Sequence, residues 1–418
     1  MIDLDRRGLF AAGTGLALLG TAGCVAAAET PEPGPRISAR DFGAVGDGTK
    51  DDTAAIQRAF EAAFSDPNPK IVTIPPGRYR ITRPIRVRTI NERRGNITHR
   101  SGILAQGAQL VSSIQDGSPI IELQSLSTVR YFLIDGLQIK GSGQDGHGLL
   151  ISCRNRGKYF YNFCLRDIVV ENCGGDGCHM IGNIFEGQIF NSYFRDNKGN
   201  GATFSHGEEN TVLSAVHVFG SVFGQNGRHG VEMVKGAMDV GFNGCYFLLN
   251  KKFGLSANSG CTLLSHCGFE NNQMAAPDFE HGDAGIRLMV GGTLIGCTSY
   301  SIYNQTHLIR AFVTNQFVMV GCTGAGGDRA KKARLAKLHG KDAAQASLIG
   351  CYGGVDREGT MEVLELGGRG AGARFGARWN SSNLARLGDY SLWVDGQGKL
   401  RIKRGTPSED SDGNVVGT

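Results

Sequence analysis

Proline is scarce in this chain, 11 in 418 residues, and only 20% of residues are charged against 40% hydrophobic. That balance excludes a disordered or collagen-like polypeptide. Long apolar runs are lacking too. The run from Leu9 to Leu19 is too short for a permanent bilayer anchor, so no stable membrane span is expected. Helical stretches are few, and the one concentrated basic run carries no interleaved aromatics, which argues against nucleic acid as a partner. Histidine is also rare, ten in all. What abounds is glycine, 63 residues, enough for one or more tight corners in every turn of a repetitive chain.

The repeat itself runs from about Leu133 to Phe375. A glycine is followed by alternating residues in Gly148-Leu-Leu-Ile, Gly177-Cys-His-Met, Gly201-Ala-Thr-Phe, Gly230-Val-Glu-Met, Gly254-Leu-Ser-Ala and Gly285-Ile-Arg-Leu. The glycines are 29, 24, 29, 24 and 31 residues apart, a solenoid period. A second short strand recurs in each unit, as in Phe190-Asn-Ser-Tyr-Phe and Phe242-Asn-Gly-Cys-Tyr-Phe, and later as Ile295-Gly-Cys, Val320-Gly-Cys and Ile349-Gly-Cys. Between strands lie Asn, Asp and Gly clusters, which is turn chemistry. The pattern predicts an all-β fold, a parallel β-helix whose apolar side chains stack from coil to coil.

Residues 1–28 stand apart. Arg6-Arg7, the apolar run and the small residues ending in Ala28 resemble a twin-arginine export signal, with Asp5 where that family has Ser or Thr. The expected product is exported, periplasmic or extracellular. Cys24 offers a rival reading as a lipoprotein acceptor, against which stands Thr21 in the place of the usual Leu. Ten cysteines follow. Cys245, Cys267, Cys297, Cys322 and Cys351 fill one slot of successive coils, where Ser192 and Ser221 stand earlier, so they predict an interior ladder of free thiols rather than disulfides. Slots that all point one way do not converge on zinc.

The most specific stretch is Ile37 to Thr82, with Ala39-Arg-Asp-Phe-Gly43-Ala-Val-Gly46-Asp-Gly48-Thr-Lys-Asp51-Asp52-Thr53 and, later, Val72-Thr-Ile-Pro-Pro-Gly77-Arg-Tyr79. Its glycines make tight turns. Asp51, Asp52 or Thr53 caps a helix with the apolar face Ile56, Ala59, Phe60 and Phe64, positioned to close the open end of the solenoid. The stretch resembles the N-terminal signature of the pectate-lyase superfamily, shared by tailspike depolymerases, polysaccharide lyases, some glycosidases and alginate C5-epimerases. The resemblance implies a right-handed parallel β-helix over residues 29–375, with its cap at 37–82, and an action on carbohydrate without choosing the reaction. Gly146-His147-Gly148 and Arg401-Ile402-Lys403 match short polygalacturonase motifs, but the Asn-Thr-Asp and Asp-Asp pairs of that family are missing before His147. The Asp-Pro-His motif of the epimerases is missing as well.

Alternation assigns the exposed face. If residues one and three after each glycine point inward, those two and five after it, and the one before it, point outward. The outward set gathers His147, Asp176, His179, Asn200, Thr203, His206, His229, Glu232, Lys235, Ser256 and Arg287, including four of the ten histidines. For a lyase, His179, His229 or Lys235 would be the base that takes the proton beside a uronate carboxyl group, with Arg287 neutralising the carboxylate. For a hydrolase, Asp176 and Glu232, two coils and about 10 Å apart, would be acid and base. His206, Thr203, Asn200 and Arg287 complete a substrate-binding set. A non-catalytic glycan-binding or envelope structural protein is the third reading. With only two carboxylates on the stripe, calcium is not supported and no cofactor or metal is expected.

A basic insertion, 324–347, holds Arg329, Lys331, Lys332, Arg334, Lys337 and Lys341, and its alanines and leucines predict a short helix. With a net charge of +5 it tilts the expected partner towards an acidic polysaccharide. In the tail, 376–418, Tyr390 to Lys403 reads as a β-hairpin about an Asp-Gly turn, serving as a cap or as the seat of a homotrimer.

Overall fold

The computed structural model describes residues 36–64, 70–89, 101–207, 211–234, 236–258, 262–272, 282–288, 292–301, 305–313, 316–326, 334–340, 345–351, 355–359, 362–366, 374–375, 385–387, 389–409 and 411–416. Residues 1–28, where an export signal is expected, lie outside them with Cys24, as do residues 327–333 and 341–344 of the basic insertion. Among the described residues no helix is long and apolar enough to cross a membrane.

The chain winds through three long sheets. Among the described residues these have 16, 11 and 11 strands, and successive coils add one strand to each in parallel register. In the coil around Gly201, for example, Ile184–Phe190 lies in the first sheet, Tyr193–Arg195 in the second and Ala202–Ser205 in the third. This is a parallel β-helix, and it begins before the glycine repeat. Arg36–Ser38, Ile71–Thr73 and Gly102–Leu104 are already rungs of the first sheet.

Each corner has a local cause. Between the first and second sheets one residue per coil turns the chain in the left-handed conformation: Gly136, Asp167, Asn191, Gly220, Gly244, His266, Gly296, Gly321 and Gly350, with φ between 43° and 73°. Glycine, Asn and Asp tolerate that conformation best. The next residue then points inward, which is why Gly-Cys recurs. Ser192, Ser221, Cys245, Cys267, Cys297 and Cys322 are buried, and the thiols donate to main-chain carbonyls, as Cys267 does to those of Phe242 and Ser265 at 3.5 and 3.4 Å. The described cysteines are free.

The corner from the second to the third sheet is pinned differently. Asn197, Asn226, Asn250 and Asn272 stack in the interior, each side-chain amide donating to the next at 3.1, 2.9 and 2.8 Å. Beside them Phe194, Phe223, Phe247 and Phe269 stack face to face with centroids 5.2, 5.3 and 4.6 Å apart. This arrangement keeps one length. From Asp167 to Gly177, Asn191 to Gly201, Gly220 to Gly230 and Gly244 to Gly254 the distance is ten residues each time, whereas the return from Gly148, Gly177, Gly201 and Gly230 to the next corner takes 19, 14, 19 and 14. The alternating 29 and 24 of the repeat come from that return path alone.

Helix Thr53–Phe64 closes the end of the barrel, burying Ala55, Ile56, Ala59, Phe60, Ala63 and Phe64. The signature aspartates are scaffolding. Asp51 accepts from the Thr53 amide at 3.0 Å and from the Thr82 hydroxyl at 2.7 Å, and Asp52 accepts from the amides of Val45 and Gly46 at 2.7 and 3.0 Å. Gly46 lies against the Tyr79 ring, where a Cβ would come within 2.7 Å. Gln57 completes the cap by donating to the Arg86 carbonyl and accepting from its amide, both at 2.8 Å, so it covers the edge strand Ile85–Thr89.

One expectation fails. Within the basic insertion, whose described ends belong to the strands Thr323–Gly326 and Gln345–Ile349, Arg334–Gly340 is also a strand, pairing in parallel with Gln305–Val313 and Val355–Gly359. Leu335, Ala336 and Leu338 are buried against the coils, and docking onto an open sheet overrides local helix propensity. At the far end Tyr390–Val394 and Leu400–Arg404 form an antiparallel pair about a turn held by Asp395, whose carboxylate accepts from the amides of Gln397 and Lys399 at 3.0 and 2.8 Å.

Candidate functional site

The third sheet presents one outward residue per coil, and Leu150, His179, Thr203, Glu232, Ser256 and Arg287 are consecutive partners on it. The turn just before that sheet contributes His147, Asp176, Asn200, His229 and Phe253. Their carbonyls accept, rung after rung, from the amide of the coil below, as Gly177 donates to Asn200 and Gly201 to His229. Two columns about 4.8 Å per rung therefore run side by side.

Asp176 is the centre of the cluster and is only 7% exposed. Its Oδ2 accepts from His179 Nδ1 at 3.0 Å and from the Thr203 hydroxyl at 2.8 Å, and its Oδ1 accepts from the Asn200 amide at 2.8 Å. Gly199 makes the room, since a Cβ there would lie 2.3 Å from Asp176 Oδ1. Burial alone would raise the Asp176 pKa. The His179 bond, the Asn200 amide, the nearby His147 and the Thr203 hydroxyl outweigh it, and the carboxyl is held below its ordinary value.

The histidines around it differ in which nitrogen is free. His147 Nδ1 accepts from the Asp176 amide at 3.0 Å, which puts its proton on Nε2, and burial followed by the neighbouring His179 lowers its pKa against the pull of Asp176. His179 has the opposite tautomer. Its Nδ1–H points to Asp176, so Nε2 keeps its lone pair, and the side chain is 20% exposed. His229 Nδ1 accepts from the Phe253 amide at 3.2 Å and its ring stacks on Phe253 at 5.6 Å. Burial first, then Arg287, Lys252 and Arg228, push its pKa down to about 3, so it is neutral and can only donate through Nε2.

Asn200 joins the two carboxylates. Besides holding Asp176 through its amide, it donates from Nδ2 to Glu232 Oε2 at 2.8 Å and to the Thr203 hydroxyl at 2.9 Å, and its Oδ1 accepts from the His229 amide at 2.9 Å. The structure thus brings together Asp176, His179, Asn200, Thr203, His229 and Glu232. Arg287 sits further along, donating to the Ser256 hydroxyl at 3.1 and 2.8 Å with its guanidinium 5.0 Å over the Phe253 ring. Four rungs, about 19 Å, separate it from His179. The His206 ring packs on Gly236 instead of on the carboxylates, since a Cβ on Gly236 would come within 1.8 Å of it. Lys235 lies outside the described residues.

Alternation from the glycines missed Arg228 and Lys252, which occupy the slot two before Gly230 and Gly254. They are exposed successive rungs of the same turn, the Lys252 amide donating to the Arg228 carbonyl at 2.9 Å, and Arg228 Nη2 lies 3.6 Å from Glu232 Oε2. The constant spacing after Asn226 and Asn250 was the available signal.

His147, Asp176 and His179 could offer one ligand atom each to a metal, all within 4.8 Å. The fit is poor. The inner lone pair of His147 is taken by an amide, and His179 turns its proton, not its lone pair, towards Asp176. One carboxylate and two imidazoles are also not the oxygen set that calcium prefers.

The sequence of residues 36–276 matches the rhamnogalacturonase A/epimerase, pectate lyase-like family. The chain belongs to it. Residues 357–418 match a capsule depolymerase family, and no curated protein matches. Among solved structures, Geobacillus virus E2 ORF18 is similar with a TM-score of 0.58 at 18% identity, over 88% of this chain and 66% of that one. The enzymatically active domain of bacteriophage CBA120 tailspike protein 2 has a TM-score of 0.51 at 11% identity, over 74% of this chain and 48% of that one. The Agl-KA catalytic domain has a TM-score of 0.50 at 12% identity, over 80% of this chain and 68% of that one. This chain spans less than two thirds of the two viral chains, and at these identities the likeness is one of fold: the right-handed parallel β-helix of the pectate lyase-like proteins.

Proposed function

We propose that this protein degrades an acidic polysaccharide at the outward face of its third sheet, by β-elimination with His179 as base. One observation carries the reading: the Asp176 carboxylate accepts from His179 Nδ1–H, which leaves Nε2 of a partly exposed side chain as the basic nitrogen. Nε2 takes the proton from the carbon beside a uronate carboxyl group. The electron pair forms the carbon–carbon double bond as the glycosidic C–O bond breaks, and the departing oxygen is protonated from the imidazolium or water. Asp176, held anionic, stabilises the imidazolium. Arg228 and Lys252, on the rim two and three rungs above Asp176, supply positive charge for the substrate carboxylate, with the Arg287 guanidinium beside Ser256 and Phe253 on the same rung as Lys252.

A hydrolytic reading draws on Asn200, which couples Asp176 to Glu232. It asks one of the two to donate a proton, and the depressed pKa of Asp176 leaves only Glu232 for that task. The test is to incubate protein lacking residues 1–28 with acidic bacterial, algal and plant polysaccharides, following ultraviolet absorbance of unsaturated uronate alongside reducing ends. Both rising together is the expected result. Reducing ends alone would replace elimination by hydrolysis, and neither signal would leave a binding protein.

A further inference from the structure

We infer that the second sheet carries a separate, non-catalytic platform for glycan chains, built on Tyr193 and Tyr246. The inference rests on the reading that this chain handles polysaccharide, but on none of the catalytic residues.

Tyr193, Val222, Tyr246 and Gly268 are consecutive outward partners on the second sheet. Tyr193 and Tyr246 are 42% and 41% exposed, high values for aromatic rings in a strand. The Tyr246 ring does not stand away from the sheet. It lies down over the next rung, where a Cβ on Gly268 would meet the ring at 2.2 Å, and its hydroxyl is tied to Glu270 Oε2 at 2.7 Å. Gly268 therefore makes room for a flat ring with one face against the backbone and the other towards solvent. Glu270 fixes that orientation and raises the phenol pKa through the same bond.

Two rungs, about 10 Å, separate the two tyrosines. Around the corner, on the first sheet, Phe190 and Phe219 stack on each other at 5.0 Å and 13°, half-buried. Ion-paired Arg195 and Glu171, 2.8 Å apart, border it. A flat Tyr246 ring with one open face, the exposed Tyr193 two rungs away and hydrogen-bonding groups between them suit the C–H faces of pyranose rings in an extended chain, while a protein partner would require a larger continuous apolar patch.

The test uses cellohexaose and hexagalacturonate as probes in saturation-transfer NMR and calorimetry, on a His179→Ala background that silences cleavage. Binding of at least one probe is expected, weakened about tenfold or more in Tyr193→Ala/Tyr246→Ala and retained in Tyr193→Phe/Tyr246→Phe. Circular dichroism confirms that the variants are folded. Failure of the parent to bind either probe, unchanged affinity in the double alanine variant, or equal loss in the phenylalanine variant would each overturn the platform. The proposed cleavage is read separately, on the His179-containing protein. There the double alanine variant should cut short soluble substrate at the parental rate, so the two readings fail independently.

Discussion

At the scale of single residues the site depends on which nitrogen each histidine leaves open. Replacing His179 by Ala should lower the rate of unsaturated product formation by a factor of about 100 or more, and Asp176→Asn should do nearly as much by losing both the anion and the tautomer. His229→Gln should be far milder in initial-rate assays, because the lone pair of its Nδ1 is already used. It should instead change the acid stability. With a folded pKa of about 3 against an ordinary 6.5, the unfolded chain takes up the proton first, so stability is full above pH 6.5 and falls as the pH drops from there towards 3. Thermal melts from pH 7 to pH 4 should show a shallower decline for His229→Gln than for the parent. Asp176 adds its own loss only below its ordinary 3.8. The outward placement of Asp176, His179, Asn200, Thr203 and Glu232 was legible from alternation after glycine. Their tautomers and most of their bond partners were not, since apart from the three-residue contacts His179–Asp176 and Asn200–Thr203 these depend on residues 24 to 32 positions away in sequence.

At the scale of elements, ladders hold the coils. Asn226 sits mid-ladder, and Asn226→Ala should cost about 2–3 kcal/mol in urea denaturation, because it removes all four bonds of that side chain and leaves neighbouring polar groups unpaired in the interior. The thiols behave as packing groups. Hydrogen bonds with the preceding thiol first, and then burial, push Cys267 and Cys297 up to about 12 and Cys322 up to about 11, so these three should resist iodoacetamide in the native protein at pH 8 and react only on unfolding, as mass spectrometry of digests would show. Repeated Gly-Cys in the sequence announced that ladder. The strand Arg334–Gly340 was not legible, because its alanines and leucines favour helix until an open sheet edge offers hydrogen bonds.

For the whole molecule, a net charge of +5 and the exposed row of Arg228 and Lys252 should draw acidic chains to the outward face of the third sheet. Raising ionic strength from about 0.05 M to about 0.5 M should increase KM severalfold with little change in kcat, a comparison that steady-state kinetics at several salt concentrations would settle. The winding itself carries a further consequence. The one-residue corner between the first and second sheets recurs unchanged, while the other two connections vary: the return to the first sheet takes 19 or 14 residues between Gly148 and Gly244, and the step from His266 to Gly285 takes 19 where the four before it take ten, without disturbing a rung. Descendants of this chain can therefore acquire new overhangs on either side of the third sheet by simple insertion, and diversify what they degrade while inheriting the same interior unchanged.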